Sequence, residues 1–263
     1  MVGNGRDRAE IPALVENWID GAPRPAEDGR TVESPDPDTG RTLCRLARSG
    51  SADVAAAVAG ARRAQPGWAA RTPVERGAIL RAAARRMEDR REVLAATAAV
   101  ETGKSFALAD GEAGAAIEMG HFVAGEGRRS YGKTTTSADP GRIAMTTRQP
   151  LGVAGLIVPA NTPIANIAWK VFPALLCGNA AVLKAAEDAP AIALAVARLL
   201  EEAGVPPGVL DVVQGLGPEA GAALVEHPGV DVVSFTGSVA AGRRVAAVAG
   251  ERLAKGAGRP RRS

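Results

Sequence analysis

Apolar residues gather in short runs along the C-terminal half of the chain, and a stretch with helical spacing follows each run. The four apolar, β-rich runs lie at 153–158, 180–184, 209–213 and 230–236. The helical stretches follow at about 164–176, 190–204, 218–226 and 239–249. Runs that are apolar on both faces and alternate with helices predict an α/β fold, in which helices cover both sides of a parallel sheet.

The first 130 residues show a different pattern. Turn signals within 18–46 separate short apolar pieces, which indicates a β-meander or hairpin. One helix is predicted from an N-cap at Ser51, and a second from a capping box at 72–75 to about Val100. A third helix is predicted over roughly 108–127. This part of the chain therefore predicts strands followed by a helical region.

Composition places the chain among folded globular proteins and argues against nucleic-acid binding. Its 263 residues are 46% apolar and 3% aromatic, which predicts a core of Ala, Val, Leu and Ile. The net charge is +3, yet residues 251–263 hold five basic residues and one acidic residue, so residues 1–250 carry −1. No aromatic residue stands among the tail arginines to stack on bases. A basic-tailed RNA or DNA binder is therefore disfavoured.

Cysteines, histidines and the longest uncharged stretch bear on location and on metal binding. Cys44 and Cys177 cannot form a disulfide framework and no signal peptide precedes them, which predicts a reducing cytoplasm. The stretch 151–169 contains prolines and asparagines, so it predicts strand, turn and helix rather than a membrane span. His121 and His227 show no metal-ligand spacing. The apolar surroundings of Cys177 predict an inert, buried thiol.

Ligands of open parallel sheets bind beyond the C-terminal ends of the strands, where helix N-termini present free amides. After the first strand, the amide of Asn161 could donate to a developing oxyanion, or the residue could cap the next helix. After the second strand, Lys184 and Glu187 could hold the ribose hydroxyls of an adenine nucleotide. The alternative is that the Lys184 side chain points from the end of the strand into solvent, next to the acidic residues that begin the following helix.

The loops after the third and fourth strands are rich in glycine. The segment 215–221 matches a dinucleotide fingerprint only in part, so a helix-entry turn is favoured there. After the fourth strand, Gly237 permits a tight turn, and Ser238 can cap the helix or donate to a phosphate. Gly242, on the first helical turn, allows a ligand to approach closely. A pyrophosphate over this helix N-terminus is the physical expectation.

Taken together, these loops resemble the aldehyde dehydrogenase superfamily. The resemblance is carried by "VPANTP", "LKAAED", "GLGPEAG" and "FTGSVAAG", with "WIDGAPRP" and "ETGK" upstream, and it covers roughly residues 15–250. It implies NAD(P)-dependent oxidation of an aldehyde to an acid or thioester. In that chemistry a cysteine thiolate attacks the aldehyde, hydride passes to the nicotinamide, and a glutamate activates water.

The resemblance also implies roles for individual residues. Asn161 would stabilise the oxyanion of the thiohemiacetal. The cofactor would contact Ile157, Val158, Pro159, Lys184, Glu187, Gly217, Phe235, Gly237, Ser238 and Gly242. A glutamate at 187 favours NAD over NADP, because its charge would repel a 2′-phosphate. The implied partner is a small-molecule aldehyde, with no nucleic acid and no membrane.

The sequence also departs from the family pattern. "PAN" replaces the family's "PWN", and "KAAE" replaces "KPSE". After "AGERL" the family continues into a strand with "ELGG" and later its catalytic cysteine, whereas "AKGAGRPRRS" follows here. We therefore expect this chain to lack the nucleophile and the general base, and to be inactive alone. The alternative is a non-catalytic NAD-binding or partner-assembly module.

The predicted fold is a doubly wound, Rossmann-like parallel sheet, incomplete at one edge, with an N-terminal β-hairpin and helices. Polar β-branched residues around a Pro-Gly turn at 131–152 predict a second hairpin, which resembles the subunit contact of the homo-oligomeric family. Because a strand is expected to be missing, we expect an unpaired edge, marginal stability and aggregation. The predicted parts are a flexible N-terminus at 1–14, a hairpin and helices at 15–130 packed on the cofactor domain, the oligomerisation-type hairpin at 131–152, a cofactor-binding region at 153–250 and a basic, disordered tail at 251–263.

Overall fold

The computed structural model describes residues 6–252 and 254–260. The described strands are β1 (Leu14–Val15), β2 (Asn17–Ile19), β3 (Ala22–Arg24), β4 (Thr31–Pro35), β5 (Thr42–Ala47), β6 (Thr134–Thr136), β7 (Ile143–Met145), β8 (Val153–Ile157), β9 (Ala180–Lys184), β10 (Leu210–Val213), β11 (Val232–Gly237) and β12 (Lys255–Pro260). The described α-helices are α1 (Ser51–Ala69), α2 (Pro73–Asp89), α3 (Arg91–Thr102), α4 (Phe106–Glu126), α5 (Pro163–Leu176), α6 (Pro190–Glu202), α7 (Ala222–Glu226) and α8 (Val239–Glu251). A single π-helical turn, Gly217–Gly221, precedes α7.

A seven-stranded sheet organises the molecule. Its strand order is β12-β11-β8-β9-β10-β2-β3, and the first five of these strands run parallel. β2 then joins β10 in antiparallel pairing, and β3 joins β2. The predicted α/β fold with a doubly wound parallel sheet is confirmed. The sequence did not indicate that the first hairpin would extend this same sheet.

Alternate residues of each parallel strand enter two different cores. Ala154 and Leu156 of β8 face a core built with helices α2 to α6. Val153 and Ile157 of the same strand face a second core built with α1, α7 and α8. Because side chains of a strand point to opposite faces in turn, a strand that is apolar throughout requires helices on both sides.

The helix starts and stops follow local capping chemistry, with two corrections. The capping box at 72–75 forms as predicted, because the Glu75 N–H donates to Thr72 Oγ1 at 3.2 Å and the Thr72 N–H donates to Glu75 Oε2 at 2.7 Å. The N-cap of α1 is Gly50 rather than Ser51, and its N–H donates to Asp53 Oδ2 at 2.9 Å. The helix predicted to reach Val100 is instead broken. It is divided into α2 and α3 within the segment "EDRRE". This segment has no apolar residue that could pack against the core and keep the two parts in one continuous helix.

The expectation of coil after Gly250 is wrong for the described part of the tail. α8 continues to Glu251, and β12 pairs with β11 in parallel register from Val232↔Lys255 to Gly237↔Pro260. The edge of β11 offers a row of backbone donors and acceptors, so an extended segment can pair there whatever its side chains are. Residues 1–5, 253 and 261–263, parts of the predicted flexible terminus and tail, lie outside the described residues.

The second hairpin, β6 with β7, pairs in antiparallel register from Thr134↔Met145 to Thr136↔Ile143. All six of its strand residues are exposed. Two of them are large and apolar, Ile143 at 74% and Met145 at 66% exposure. Within the described residues, no helix combines the length and the apolar character that crossing a membrane requires.

Candidate nucleotide site

The strand register places four predicted or neighbouring residues in one row at the C-terminal end of the sheet. Phe235 of β11 pairs with Ile157 of β8, which pairs with Lys184 of β9, which pairs with Val213 of β10. Phe235, Ile157 and Val213 belong to the core on the side of α1, α7 and α8. Lys184 lies two residues after Val182 of that core, so its side chain is on the same face of β9. The four side chains therefore form one platform where parallel sheets bind their ligands.

A cleft of about 390 Å³ opens on this platform, between the π-turn with α7 on one side and α8 on the other. Its volume falls within the range of ligand pockets, roughly 300–1,000 Å³. Among the predicted residues, Ile157, Gly217 and Phe235 line it. Val245 and Val248 of α8 contribute apolar side chains to its wall, and its charged lining residues are Glu226 and Arg244. The cleft is thus suited to a flat, largely apolar group.

A larger cleft of about 680 Å³ lies between residues 9–12, the α2–α3 junction and α6. It contains none of the residues that the sequence marks as functional, and its rim carries Arg86, Arg90, Glu10 and Glu202 in ion pairs with one another. Size alone does not mark a site. The smaller cleft is the better candidate because it lies at the carboxyl ends of parallel strands.

Lys184 and Glu187 form a close ion pair at the end of β9. Nζ and Oε2 lie 2.5 Å apart, and the Lys184 side chain is only 3% exposed, whereas that of Glu187 is 37% exposed. Burial lowers the pKa of Lys184, and the Glu187 carboxylate opposes this. Burial raises the pKa of Glu187, but the Lys184 ammonium and backbone N–H donors outweigh it, so the net pKa is below its usual range. The alternative of a solvent-exposed Lys184 is wrong.

Ser238 and the two glycines near it meet the expectation in part. The Ser238 hydroxyl caps α8 by accepting from the Ala241 N–H at 3.3 Å. A Cβ on Gly237 would lie 2.5 Å from Phe235 Cζ, and one on Gly242 would lie 3.4 Å from Phe235 Cε1. Gly237 does not have a positive φ. It is therefore the Phe235 ring, rather than a tight turn, that requires glycine at 237.

Asn161 is exposed at the end of β8, and two residues of the α3–α4 region hold its loop. Lys104 Nζ donates to the Asn161 carbonyl at 2.7 Å and to Glu112 Oε2 at 2.6 Å. Glu112 Oε1 in turn accepts from the N–H groups of Ile164 and Ala165 at 2.7 and 3.2 Å. Glu112, and not Asn161, therefore satisfies the first amides of α5. The side-chain amide of Asn161 faces solvent.

The structure separates the predicted residues into three groups. Ile157, Gly217 and Phe235 line the cleft, whereas Asn161, Val158 and Pro159 lie in the loop after β8 and do not line it. The other five do not line the cleft either and lie near the C-terminal ends of β9 and β11: Lys184, Glu187, Gly237, Ser238 and Gly242. Sequence reasoning missed Glu112, because α4 carries four acidic residues and only its burial in the folded chain sets Glu112 apart. A buried carboxylate needs donors, which Lys104 and the first amides of α5 supply.

The two cysteines differ from each other in exposure. Cys44 is buried, and burial, together with the nearby Glu101 carboxyl, raises the pKa of its thiol to about 11. Cys177 is exposed, so the prediction of a buried thiol is wrong. It is the C-cap of α5, and Gly178, with φ +82°, turns the chain from there back into the buried strand β9. A Cys44 thiol with this pKa is not a nucleophile near neutral pH.

Comparison with known proteins decides the family. The sequence model described as "Aldehyde dehydrogenase family" matches residues 24–257. The chain belongs to the aldehyde dehydrogenase family. This family is NAD(P)-dependent, and its match takes in every predicted cofactor-contact residue. One relative is 2-aminomuconic semialdehyde dehydrogenase from Homo sapiens, 38% identical over 88% of this chain and 47% of its own length. The chain spans about half the length of the curated relatives it matches.

Solved aldehyde dehydrogenases share the fold described above. An NAD-dependent aldehyde dehydrogenase from Sinorhizobium meliloti superposes with a TM-score of 0.92 at 31% identity, covering 98% of this chain and 51% of that one. Betaine aldehyde dehydrogenase from Staphylococcus aureus, solved in complex with NAD+, gives 0.90 at 28% identity, covering 94% and 50%. The arrangement of strands and helices in this chain is therefore that of about half an aldehyde dehydrogenase.

The residues at the platform fit the adenosine half of a dinucleotide. The cleft is lined mainly by apolar groups, and a Cβ placed on Gly217 at its mouth would meet no atom within 4 Å. The Lys184 ammonium at the end of β9 and the Glu187 carboxylate in the loop after it stand next to the cleft, where they can hold ribose hydroxyls. The N-terminus of α8 lies at the end of the neighbouring strand, where free N–H groups favour an anion.

Proposed function

We propose that this chain is the NAD-binding part of an aldehyde dehydrogenase that oxidises an aldehyde to a carboxylic acid. The observation that carries the proposal is the ion pair of buried Lys184 with Glu187, in which Lys184 is paired in strand register with Ile157 of the apolar cleft. An adenine ring in the cleft would bury apolar surface. Its ribose hydroxyls would then meet Glu187, whose carboxylate accepts from both.

The remaining predicted residues take supporting roles in this proposal. Gly217 leaves open space at the cleft mouth, and Ser238 begins the helix whose free amides would face the pyrophosphate. Val158 and Pro159 shape the backbone between the cleft and Asn161. Because Glu187 is negatively charged, the proposal favours NAD over NADP, whose 2′-phosphate would meet that charge.

For catalysis, we propose that the exposed amide of Asn161 donates to the oxyanion formed on the aldehyde carbonyl. Lys104 holds the Asn161 backbone, and Glu112 holds the helix that follows. The nucleophilic cysteine is not assigned to Cys44, whose thiol is buried, or to Cys177, which precedes the start of β9 and so lies at the opposite end of the parallel strands from Asn161. The base that activates water is not assigned to Glu112, whose oxygens are occupied. We therefore expect cofactor binding, and no aldehyde oxidation, from this chain alone.

Glu187→Gln is expected to weaken NADH binding about tenfold, because a neutral amide replaces a charged acceptor of two hydroxyl groups. The ratio of the Kd for NADPH to the Kd for NADH is also expected to fall, because the charge that repels the 2′-phosphate is removed. Titration of NADH fluorescence measures both effects. Glu202→Gln, at an exposed acid of α6, is the matched control and should bind as the parent does. Absence of NADH binding by the parent chain would contradict the proposed function.

The exposed hairpin β6–β7 favours a second role in partner assembly. Ile143 and Met145 present apolar side chains on strands whose residues are all exposed. A lone two-stranded hairpin is stabilised by packing against a further surface. We expect the chain to elute as an oligomer in light-scattering chromatography. Ile143→Asp combined with Met145→Asp should return it to a monomer with unchanged NADH affinity. A monomeric parent chain would rule this role out.

A further inference from the structure

We propose that Arg48 is a positioning residue for the nucleotide cleft, acting through Glu219 on the loop that forms one cleft wall. The inference rests on the proposed function of that cleft. Arg48 follows β5, far from the cleft in sequence, and neither it nor Glu219 lines the cleft. Its influence on a bound nucleotide would therefore pass through the backbone of the π-turn.

The contact between the two side chains has the fork geometry that fixes both groups. Arg48 Nη2 donates to Glu219 Oε1 at 2.5 Å, and Nε donates to Oε2 at 3.0 Å. The hydrogen bond with Glu219 raises the pKa of Arg48, and the bond with Arg48 lowers that of Glu219. Arg30 adds a second cation 3.8 Å from Glu219 Oε2. A bidentate pair of this kind restricts direction as well as distance.

A second set of contacts ties the same two segments together beneath the ion pair. Asn17 Oδ1 accepts from the Ser49 hydroxyl at 2.9 Å and from the Gln214 N–H at 2.8 Å, and all three residues are buried. Next along the loop, Gly215 has φ +119°, and a Cβ there would lie 2.9 Å from Ser49 N. The start of the loop is thus packed directly on the backbone beside Arg48.

The middle of the loop has few other anchors, which is why the ion pair matters. Within 217–221, only Ala220 and Gly221 are buried. Gly217 and Pro218 line the cleft, and a Cβ on either Gly217 or Gly221 would meet no atom within 4 Å. Glu219 is the residue between them that reaches back to the body of the protein. Without the ion pair of Glu219, the segment 217–221 would adopt more conformations. A smaller fraction of the protein molecules would then have the cleft in the conformation that binds the nucleotide.

The test compares Arg48→Met with the charge exchange Arg48→Glu plus Glu219→Arg. Arg86→Met, which breaks the exposed pair with Glu202 at 3.3 Å, is the matched control. In the ligand-free protein, Arg48→Met should raise amide hydrogen exchange in 214–222 about tenfold and leave the strands unchanged. Its Kd for NADH should rise about fivefold. The charge exchange should restore both values toward those of the parent, and Arg86→Met should change neither.

The outcomes separate this inference from the proposed function. Unchanged hydrogen exchange in 214–222 overturns the inference, and so does faster exchange with an unchanged Kd, since Arg48 would then be merely structural. If the parent chain binds no NADH, the proposed function fails. In that case the exchange data still decide whether Arg48 holds the loop. Because Arg48 is partly exposed, its replacement leaves the core intact, and the charge exchange guards against a simple folding defect.

Discussion

Replacing Asp211 with asparagine is expected to stabilise the protein by about 2 kcal/mol at pH 8. Asp211 lies in β10 with no exposed surface, and its Oδ1 accepts from the Asp20 N–H at 2.9 Å. Its Oδ2 is buried and, among the described residues, has no hydrogen-bond partner. Burial raises the pKa of Asp211 to about 7; the charge of Asp20 adds to this, while the Asp20 N–H, Arg24 and Arg63 oppose it.

The sign of the pH dependence follows from that raised pKa. Unfolded aspartate titrates near pH 3.9, so between about pH 4 and 7 the folded protein holds a proton that the unfolded chain has lost. Stability therefore falls as pH rises through this window and stays low above it. Asparagine keeps the oxygen that accepts from Asp20 and replaces the unpartnered oxygen with a donor. The substitution thus removes the buried charge, which is the larger part of the cost, without removing the contact.

Urea denaturation at pH 5, 6, 7 and 8 tests this expectation. The Asp211→Asn variant should lose less stability with rising pH than the parent, and the two should converge toward pH 5. Asp89→Asn, at an exposed aspartate, should follow the parent at every pH. A variant that is less stable than the parent at pH 8 would show that Asp211 is ionised and satisfied in the folded state.

The Glu101→Ala substitution is expected to lower the free energy of unfolding by about 3 kcal/mol. Glu101 ends α3 but acts on α6, where its Oε1 accepts from the Ala191 N–H at 2.6 Å and its Oε2 from the Ile192 N–H at 3.1 Å. The N-cap of α6 is Ala189, which has no side-chain acceptor of its own. Alanine at 101 would leave two buried donors at this helix end unpaired.

Two further variants separate the cap from a general effect of substitution. Glu101→Gln retains one acceptor and should cost about 1 kcal/mol at pH 7. Burial raises the pKa of Glu101 to about 8, although the two N–H donors lower it, so the parent loses stability as pH rises from about 4.5 to 8. The difference in free energy of unfolding between the parent and Glu101→Gln should therefore be smaller at pH 9 than at pH 7. Glu92→Ala, at an exposed acid of α3, should change stability by less than about 0.5 kcal/mol.

The repeating strand–helix unit of this protein can be predicted from its amino-acid pattern. Apolar runs followed by helical spacing predicted the parallel strands β8 to β11, because a strand buried on both faces can hold few polar residues. The capping box at 72–75 predicted the start of α2, because its hydrogen bonds join residues three apart. The same logic predicted a ligand-binding residue at Lys184, since the carboxyl ends of parallel strands meet at one edge, whereas Ile157 and Phe235 were expected only from the family resemblance.

Features that depend on contacts between distant residues become visible only in the folded chain. Glu101 and Glu112 satisfy helix starts that lie 90 and 52 residues further along the chain, and no local pattern indicates such partners. The break before α3, the exposure of Cys177 and the pairing of β12 with β11 likewise depend on what surrounds each segment. Local hydrogen bonds and periodicity can be read from neighbouring residues, whereas the partner of a buried charge or a sheet edge is set by the packing of the whole chain.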